Sequence, residues 1–143
     1  AANFPVAVTT ASITFITAPI LVAVLDAHLA TAALVTAIAA VDTATGDGPA
    51  YYMINCAHPS HFQPELVTGS KWIDRIGGFR TNASRLSHAE LNELDELDAG
   101  NPHELGERHT ELGRIVPRMR VVGGCCGTDE RHIVAMAEGW ARA

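Results

Sequence analysis

Residues 119–128, MRVVGGCCGT, decide the fold. A short apolar run leads there directly into two glycines and a pair of cysteines, and we predict a strand over residues 119–122. The residues that follow have helical spacing, with one apolar face formed by Ile133, Met136, Ala137 and Trp140. A strand that leads into a helix through a short loop is the repeating unit of α/β folds.

The same alternation is predicted upstream of this stretch. Apolar and β-branched residues predict further strands over residues 6–16, 51–55 and 73–80. We predict helices over residues 20–41, 62–72 and 101–116. Another helix should begin at a capping box and continue through the leucines at helical spacing, namely Ser87, Glu90, Leu91, Leu94 and Leu97. Strands that alternate with helices indicate an α/β fold with a parallel sheet.

Composition limits the class of protein. The chain has 143 residues, 48% of them hydrophobic, which is enough for one domain and excludes a disordered chain. Its net charge is −6 and no basic stripe occurs, so we expect no nucleic-acid partner. Only two of the 26 charged residues, Asp26 and Asp42, lie within the first 45 positions. Residues 1–45, which we call the apolar front, are therefore nearly uncharged, and the other charged residues lie in the rest of the chain.

The apolar front raises the question of a membrane span. Residues 1–25 carry no charge, but Pro5 and Pro19 interrupt them, and the first basic residue is Lys71. We therefore expect a buried strand and helix, and no membrane partner. An odd number of cysteines, two of them adjacent, argues against a disulfide framework, and no basic segment precedes the apolar stretch. These features predict a cytoplasmic protein.

All three cysteines follow predicted strands. Cys56 comes directly after residues 51–55, and Cys125 and Cys126 come shortly after residues 119–122. Functional residues in parallel α/β folds gather at the carboxyl ends of the strands. Three thiolates that converge there would suit zinc and would leave a fourth tetrahedral position open, where a substrate thiol becomes a nucleophile.

Other interpretations of these residues remain open. Cys56, taken alone, could be buried as a small hydrophobic side chain rather than serve as a metal ligand. Cys125 and Cys126 also fit a reactive or redox pair. His58 and His61, just beyond the same strand, could complete a mixed Cys/His site or lie on a surface loop.

Three segments resemble the homocysteine S-methyltransferase family. Residues 51–59 (YYMINCAHP) and 123–128 (GGCCGT), the latter followed by His132 and Ile133, resemble its two zinc-binding signatures. Residues 76–83 (IGGFRTNA) are similar to its strand with a following asparagine. The resemblance covers about residues 41–143, whereas residues 10–40 do not look like the family.

The resemblance implies a fold and a reaction. The family's fold is a (β/α)8 barrel, of which this chain would supply the last four strand-helix units. Residues 1–143 would be a single C-terminal part of a homocysteine-binding barrel domain, with a divergent apolar segment over 1–45 and the zinc-site half over 46–143. The implied reaction transfers a methyl group to the thiol of homocysteine, giving methionine. S-methylmethionine or S-adenosylmethionine is the methyl donor that we expect.

The resemblance also implies ligands and partners. Zinc would be held by Cys56, Cys125 and Cys126, with Asn55 near the substrate and no catalytic residue beyond the zinc site. Arg80 and Asn82 lie beyond a strand, where a pocket-lining role and a surface role both fit. A half-barrel exposes sheet edges, so we expect self-association or pairing with a missing N-terminal half. The alternative function is a catalytically incomplete zinc-binding fragment that needs such a partner.

Overall fold

A five-stranded sheet organises the fold. The computed structural model describes residues 14–15, 22–26, 31–67 and 69–143. The strands are β1 (Thr14–Phe15), β2 (Val22–Asp26), β3 (Tyr51–Asn55), β4 (Ile76–Thr81) and β5 (Val121–Gly124), and they lie side by side in chain order. β1 pairs antiparallel with β2, whereas β2, β3, β4 and β5 pair in parallel.

Helices alternate with these strands, which confirms the α/β prediction. They are α1 (Thr31–Thr45), α2 (His88–Asn92), α3 (Pro102–Ile115) and α4 (Glu130–Ala141). Short 3-10 turns occupy Pro59–His61, Gln63–Glu65 and Ile73–Arg75. None of the helices within the described ranges is long and apolar enough to cross a membrane.

The predicted helix over residues 20–41 is wrong in its first part. Val22–Asp26 is a strand, and the helix begins only at Thr31 and runs to Thr45. The apolar residues of this segment pair with β3 in the sheet, and a buried strand and a buried helix are equally apolar. Of the strand predicted over residues 6–16, only 14–15 lie within the described residues, and these two are extended.

The predicted helix over residues 62–72 is also wrong. A 3-10 turn, Gln63–Glu65, stands there instead with Pro64 in its first turn, and another, Pro59–His61, comes just before this range. Phe62 lies between them, is buried, and stacks on Phe79 of β4 with ring centroids 5.4 Å apart. The helix does not continue because the backbone is extended at Leu66 and left-handed at Gly69, with φ of +86°.

Three other predicted boundaries shift. β4 starts at Ile76 because residues 73–75 form a 3-10 turn, and β5 covers Val121–Gly124, later than predicted. The capping box of Ser87 and Glu90 is confirmed, but α2 ends at Asn92. Leu94 and Leu97, predicted to continue this helix, lie beyond its end and are 44% and 70% exposed.

β3 shows which side of the sheet is packed. Tyr52 and Ile54 are buried with Leu34 and Ile38 of α1, whereas the alternate residues of β3 are half-buried. This alternation places the helices on one face of the sheet. The other face, which we call the open face, consists by strand register of Tyr51, Met53, Asn55, Gly78, Arg80, Val121 and Gly123.

α3 and α4 pack closely through small residues. A Cβ built on Gly139 would lie 2.0 Å from the Gly106 carbonyl oxygen, so neither helix tolerates a larger residue at this crossing. The buried residues of α4 are His132, Met136 and Gly139, and Ile133 of the predicted apolar face is 46% exposed. The predicted face is therefore confirmed at Met136 and at Trp140, which packs against the core, and wrong at Ile133 and Ala137, which are exposed. Close backbone approach as well as residue size decides which face of α4 contacts α3.

Asp42 and Arg75 form an ion pair where β3 and β4 begin. Arg75 Nε and Nη2 donate to the two carboxylate oxygens at 2.9 and 2.7 Å, and the Tyr52 hydroxyl donates to Asp42 Oδ1 at 2.7 Å. Arg75 Nη2 also donates to the Pro49 carbonyl at 2.8 Å. The hydrogen bonds from Arg75, and then that from Tyr52, hold the pKa of Asp42 below its ordinary value. The pair ties α1 to the start of the parallel sheet.

Replacement of Asp42 with asparagine is expected to lower the free energy of unfolding at neutral pH by about 1–3 kcal/mol, because the Arg75 guanidinium loses its charged partner. Folding lowers the pKa of Asp42, so its contribution is present above the unfolded value of about 3.9 and is lost as the pH falls through the folded value. Urea unfolding should therefore show a smaller difference between wild type and Asp42→Asn near pH ~3 than at neutral pH. Asp74→Asn, at an exposed carboxylate beside Arg75, is the control. An equal loss in that variant would contradict this role.

Candidate metal centre

The carboxyl ends of β3 and β5 bring the three cysteines together. The Sγ atoms of Cys56 and Cys125 lie 3.3 Å apart, those of Cys56 and Cys126 3.8 Å, and those of Cys125 and Cys126 3.9 Å. Cys56 and Cys125 are half-buried and Cys126 is exposed. The cluster can therefore be reached from solvent on its Cys126 side.

These spacings fit a tetrahedral metal. A Zn–S bond of about 2.3 Å places two tetrahedral sulfur ligands about 3.8 Å apart. Two of the three observed separations agree with this value, and the third is shorter. Within the described ranges these cysteines are the one group of three His, Cys, Asp or Glu side chains whose ligand atoms lie this close. The three cysteines are close enough to bind a metal.

A disulfide does not account for the cluster. The Sγ atoms lie 3.3, 3.8 and 3.9 Å apart, each far longer than a disulfide bond of about 2.05 Å. Burial, and then hydrogen bonding to Cys125, raises the pKa of the Cys56 thiol to about 12. Three thiols this close repel one another once ionised, and a cation between them removes that penalty.

β4 positions the first cysteine of each loop. The Cys56 N–H donates to the Arg80 carbonyl at 2.8 Å, and the Cys125 N–H donates to the Thr81 carbonyl at 2.7 Å. Arg80 and Thr81 are the last two residues of β4, the strand between β3 and β5. One strand end therefore sets the positions of Cys56 and Cys125 relative to each other.

The segment after β4 continues this connection. The Asn82 N–H donates to the Ala57 carbonyl at 3.1 Å, and the Ala83 N–H donates to the Cys126 carbonyl at 2.9 Å. Sequence reasoning missed this role of residues 80–83, because backbone hydrogen bonds leave no signature in residue type. The available signal was topological, since the strand between two cysteine-bearing strands must end between their loops.

Cys56 has a left-handed backbone conformation, with φ of +60°. This region costs a residue with a Cβ roughly 1–2 kcal/mol, and such conformations concentrate at functional sites. Glycine would adopt it more easily but has no thiol. The conformation turns the chain from β3 toward the other two cysteines.

Thr128 closes the loop that carries Cys125 and Cys126. Its hydroxyl donates to the Cys125 carbonyl at 2.7 Å, and its N–H donates to the same oxygen at 3.2 Å. Asp129 then caps α4, and the buried His132 ring lies 2.9 Å from an Asp129 carboxylate oxygen and 2.7 Å from the Ala99 carbonyl. The cysteine loop is thus anchored to the first turn of α4.

The histidines considered for a mixed site do not join the cysteines. His58 is fully buried with its Nδ1 atom 2.8 Å from the Ser60 hydroxyl, and burial lowers its pKa to about 4. The Nε2 atom of His61 lies 2.7 Å from the Arg85 carbonyl. Neither belongs to the metal-competent group, so the cluster consists of sulfur ligands alone.

Asn55 and Arg80 lie next to the cluster on the open face. They occupy paired positions in the sheet, and Arg80 Nη1 donates to Asn55 Oδ1 at 3.1 Å. Arg80 is exposed and Asn55 half-buried, whereas the side chain of Asn82 is buried. Of the two residues left open in the sequence, Arg80 is therefore the accessible one.

Comparison with known proteins identifies the family to which the chain belongs. The family model described as homocysteine S-methyltransferase matches residues 4–139, an interval that includes residues 10–40, where the motifs alone show no resemblance. No curated protein and no solved structure matches the chain. The family match spans nearly the whole sequence and contains all three cysteines of the cluster. The chain belongs to the homocysteine S-methyltransferase family.

Proposed function

We propose that the chain transfers a methyl group to the thiol of homocysteine, giving methionine, with zinc held by Cys56, Cys125 and Cys126. One observation carries the proposal: in a member of this family, three Sγ atoms from two strand ends lie within 3.9 Å of one another. Soft thiolate ligands in a tetrahedral arrangement favour zinc over the harder divalent cations.

Different residues of the chain bind zinc, position the cysteine loops and contact the substrate in this proposal. Three cysteines leave one tetrahedral position open, and zinc, when bound, supplies the charge that keeps a thiol there deprotonated near neutral pH. The hydrogen bonds from residues 80–83 fix the cysteine loops, so the ligands need little rearrangement. Asn55 keeps its side-chain N–H groups for a substrate oxygen, because its Oδ1 accepts from Arg80.

The proposed methyl transfer balances for a sulfonium donor such as S-methylmethionine or S-adenosylmethionine. The bond between the methyl carbon and the donor sulfur breaks, and a bond from that carbon to the homocysteine sulfur forms. The thiol proton is released, and the donor leaves as a neutral thioether. The homocysteine thiol must lose its proton before it attacks, since the thiolate is the reactive form.

We also propose that the chain forms the last four strand-helix units of a (β/α)8 barrel. The supporting observation is that β2, β3, β4 and β5 are parallel and adjacent in chain order, the order found in such barrels. The half-buried open face favours self-association or an N-terminal half as partner. A stable monomer at low concentration in size-exclusion chromatography would contradict that partner.

The test of the proposed reaction uses zinc-loaded chain, homocysteine and S-methylmethionine or S-adenosylmethionine with a deuterated methyl group. We expect mass spectrometry to detect methionine that carries the label. Zinc binding without labelled product from either donor would instead support the incomplete fragment. Product formed equally well after zinc removal would contradict the role of the cysteine cluster.

A further inference from the structure

Arg80, the next-to-last residue of β4, lies beside the cysteine cluster. Its carbonyl oxygen accepts the Cys56 N–H at 2.8 Å, and its guanidinium donates to Asn55, the residue before Cys56, at 3.1 Å. The Arg80 guanidinium therefore binds the side chain of the residue that directly precedes the first of the three sulfur ligands.

The Arg80 charge is not neutralised by any side chain that the structure describes. Four other arginines pair with carboxylates, namely Arg75, Arg85, Arg108 and Arg131. Arg80 has no such pair among the described side chains and binds only the neutral amide of Asn55 there. A guanidinium fixed by an amide keeps several N–H donors for an anion.

On the β5 side, no side chain among the described residues fills the space next to Arg80. Gly123 is its partner in β5, and a Cβ built on Gly123 would meet no atom of the described residues within 4 Å. Asn55 flanks Arg80 on the β3 side. A small molecule can therefore lie over Gly123, in contact with the guanidinium and near the cysteine cluster.

We propose that Arg80 binds the α-carboxylate of the homocysteine whose thiol is methylated. The proposal rests on the proposed function and names the residue that selects an amino-acid thiol over other thiols. The thiol sulfur and carboxylate carbon of homocysteine are joined by four bonds and span roughly 5 Å when extended, given bonds of about 1.5 Å. A ligand of that length with its sulfur at the cysteines extends beyond Cys56 toward the side chain of Asn55, which the Arg80 guanidinium binds. Paired N–H donors of arginine match the two oxygens of a carboxylate.

A structural role for Arg80 is the competing explanation. Asp26 occupies the corresponding position on β2, two strands away or roughly 10 Å between Cα atoms. If Arg80 served mainly to balance charge within the sheet, its replacement would lower stability and leave ligand preference unchanged. Ligand preference and stability must therefore both be measured.

The experiment is calorimetric titration of zinc-loaded protein with homocysteine and with 3-aminopropane-1-thiol, which lacks only the carboxylate. Wild type should bind homocysteine about 10- to 100-fold more tightly. Arg80→Gln should lose that preference by weakening homocysteine alone, and Arg80→Lys should keep part of it. Arg120→Gln, an exposed arginine just before β5 at the opposite end of the sheet, is the matched control and should behave as wild type.

Two results would overturn this role while leaving the proposed function intact. One is an Arg80→Gln protein that still prefers homocysteine, whether or not its melting temperature falls. The other is a wild-type protein that binds both thiols equally. Zinc-loaded wild type that binds neither thiol would overturn the proposed function, and the role of Arg80 with it. If Arg80→Gln does not fold, the preference of Arg80→Lys for homocysteine over 3-aminopropane-1-thiol decides whether Arg80 has this role.

Discussion

Replacement of Cys126 with serine is expected to lower the affinity of the chain for zinc at least about 100-fold. The free energy that corresponds to this loss is a small part of the total binding free energy of three- and four-ligand zinc sites. Serine occupies nearly the same volume but offers no thiolate, so only two sulfur ligands remain. Because Cys126 is the exposed member of the cluster, the substitution should leave the fold intact. Zinc per chain after dialysis, and competition with a chromophoric chelator, measure the effect.

Two further variants make this result specific. Cys126→His supplies an imidazole nitrogen, which zinc accepts, and should retain much more zinc than Cys126→Ser. His61→Gln should bind zinc as wild type does, because His61 hydrogen-bonds to the Arg85 carbonyl and lies outside the cluster. Undiminished zinc in Cys126→Ser would contradict the assignment of the ligands.

Gly124→Ala is expected to lower the free energy of unfolding by about 1–3 kcal/mol, the usual cost of overpacking, and to weaken zinc binding. A Cβ at this position would lie 2.1 Å from the Thr128 hydroxyl oxygen. That hydroxyl donates to the Cys125 carbonyl, so Thr128 can move away only by opening the cysteine loop. Stability and ligand position should therefore change together.

Gly123 provides the matched control within the same motif. Among the residues that the structure describes, a Cβ there meets nothing within 4 Å. Gly123→Ala should therefore be neutral or should stabilise by about 0.4–1 kcal/mol, because it restricts the unfolded chain. Urea unfolding of both variants, with and without zinc, measures the contrast. Equal destabilisation by the two substitutions would show that the motif needs glycine for another reason than contact with Thr128.

The fold is predicted best in segments whose residue types fit only one kind of secondary structure. α3 begins at Pro102, directly after Asn101, whose side chain caps the helix, and ends before Pro117, as these residues predict. Val22–Asp26 is a strand although the sequence predicts helix, because a short apolar run without clear periodicity fits either structure. α4 shows a second limit, since the approach of Gly106 to Gly139 and the hydrogen bonds of His132 decide its buried face.

The three candidate metal ligands could be predicted from the sequence, whereas the hydrogen bonds that position them could not. Strand ends and the two motifs singled out the three cysteines, and the structure brings them within 3.9 Å of one another. The backbone bonds from residues 80–83 and the hydrogen bond between Arg80 and Asn55 depend on strand register, which residue types do not specify. The role of Asn55 toward substrate remains a prediction.

Zinc-edge X-ray absorption of the loaded wild-type chain, recorded before and after addition of homocysteine, tests the central claim most directly. We expect three sulfur neighbours at about 2.3 Å and one lighter neighbour before addition, and four sulfur neighbours afterwards. Fewer than three sulfur neighbours in the free protein would contradict the cysteine cluster as the metal centre. A zinc environment that homocysteine leaves unchanged would contradict the proposed substrate.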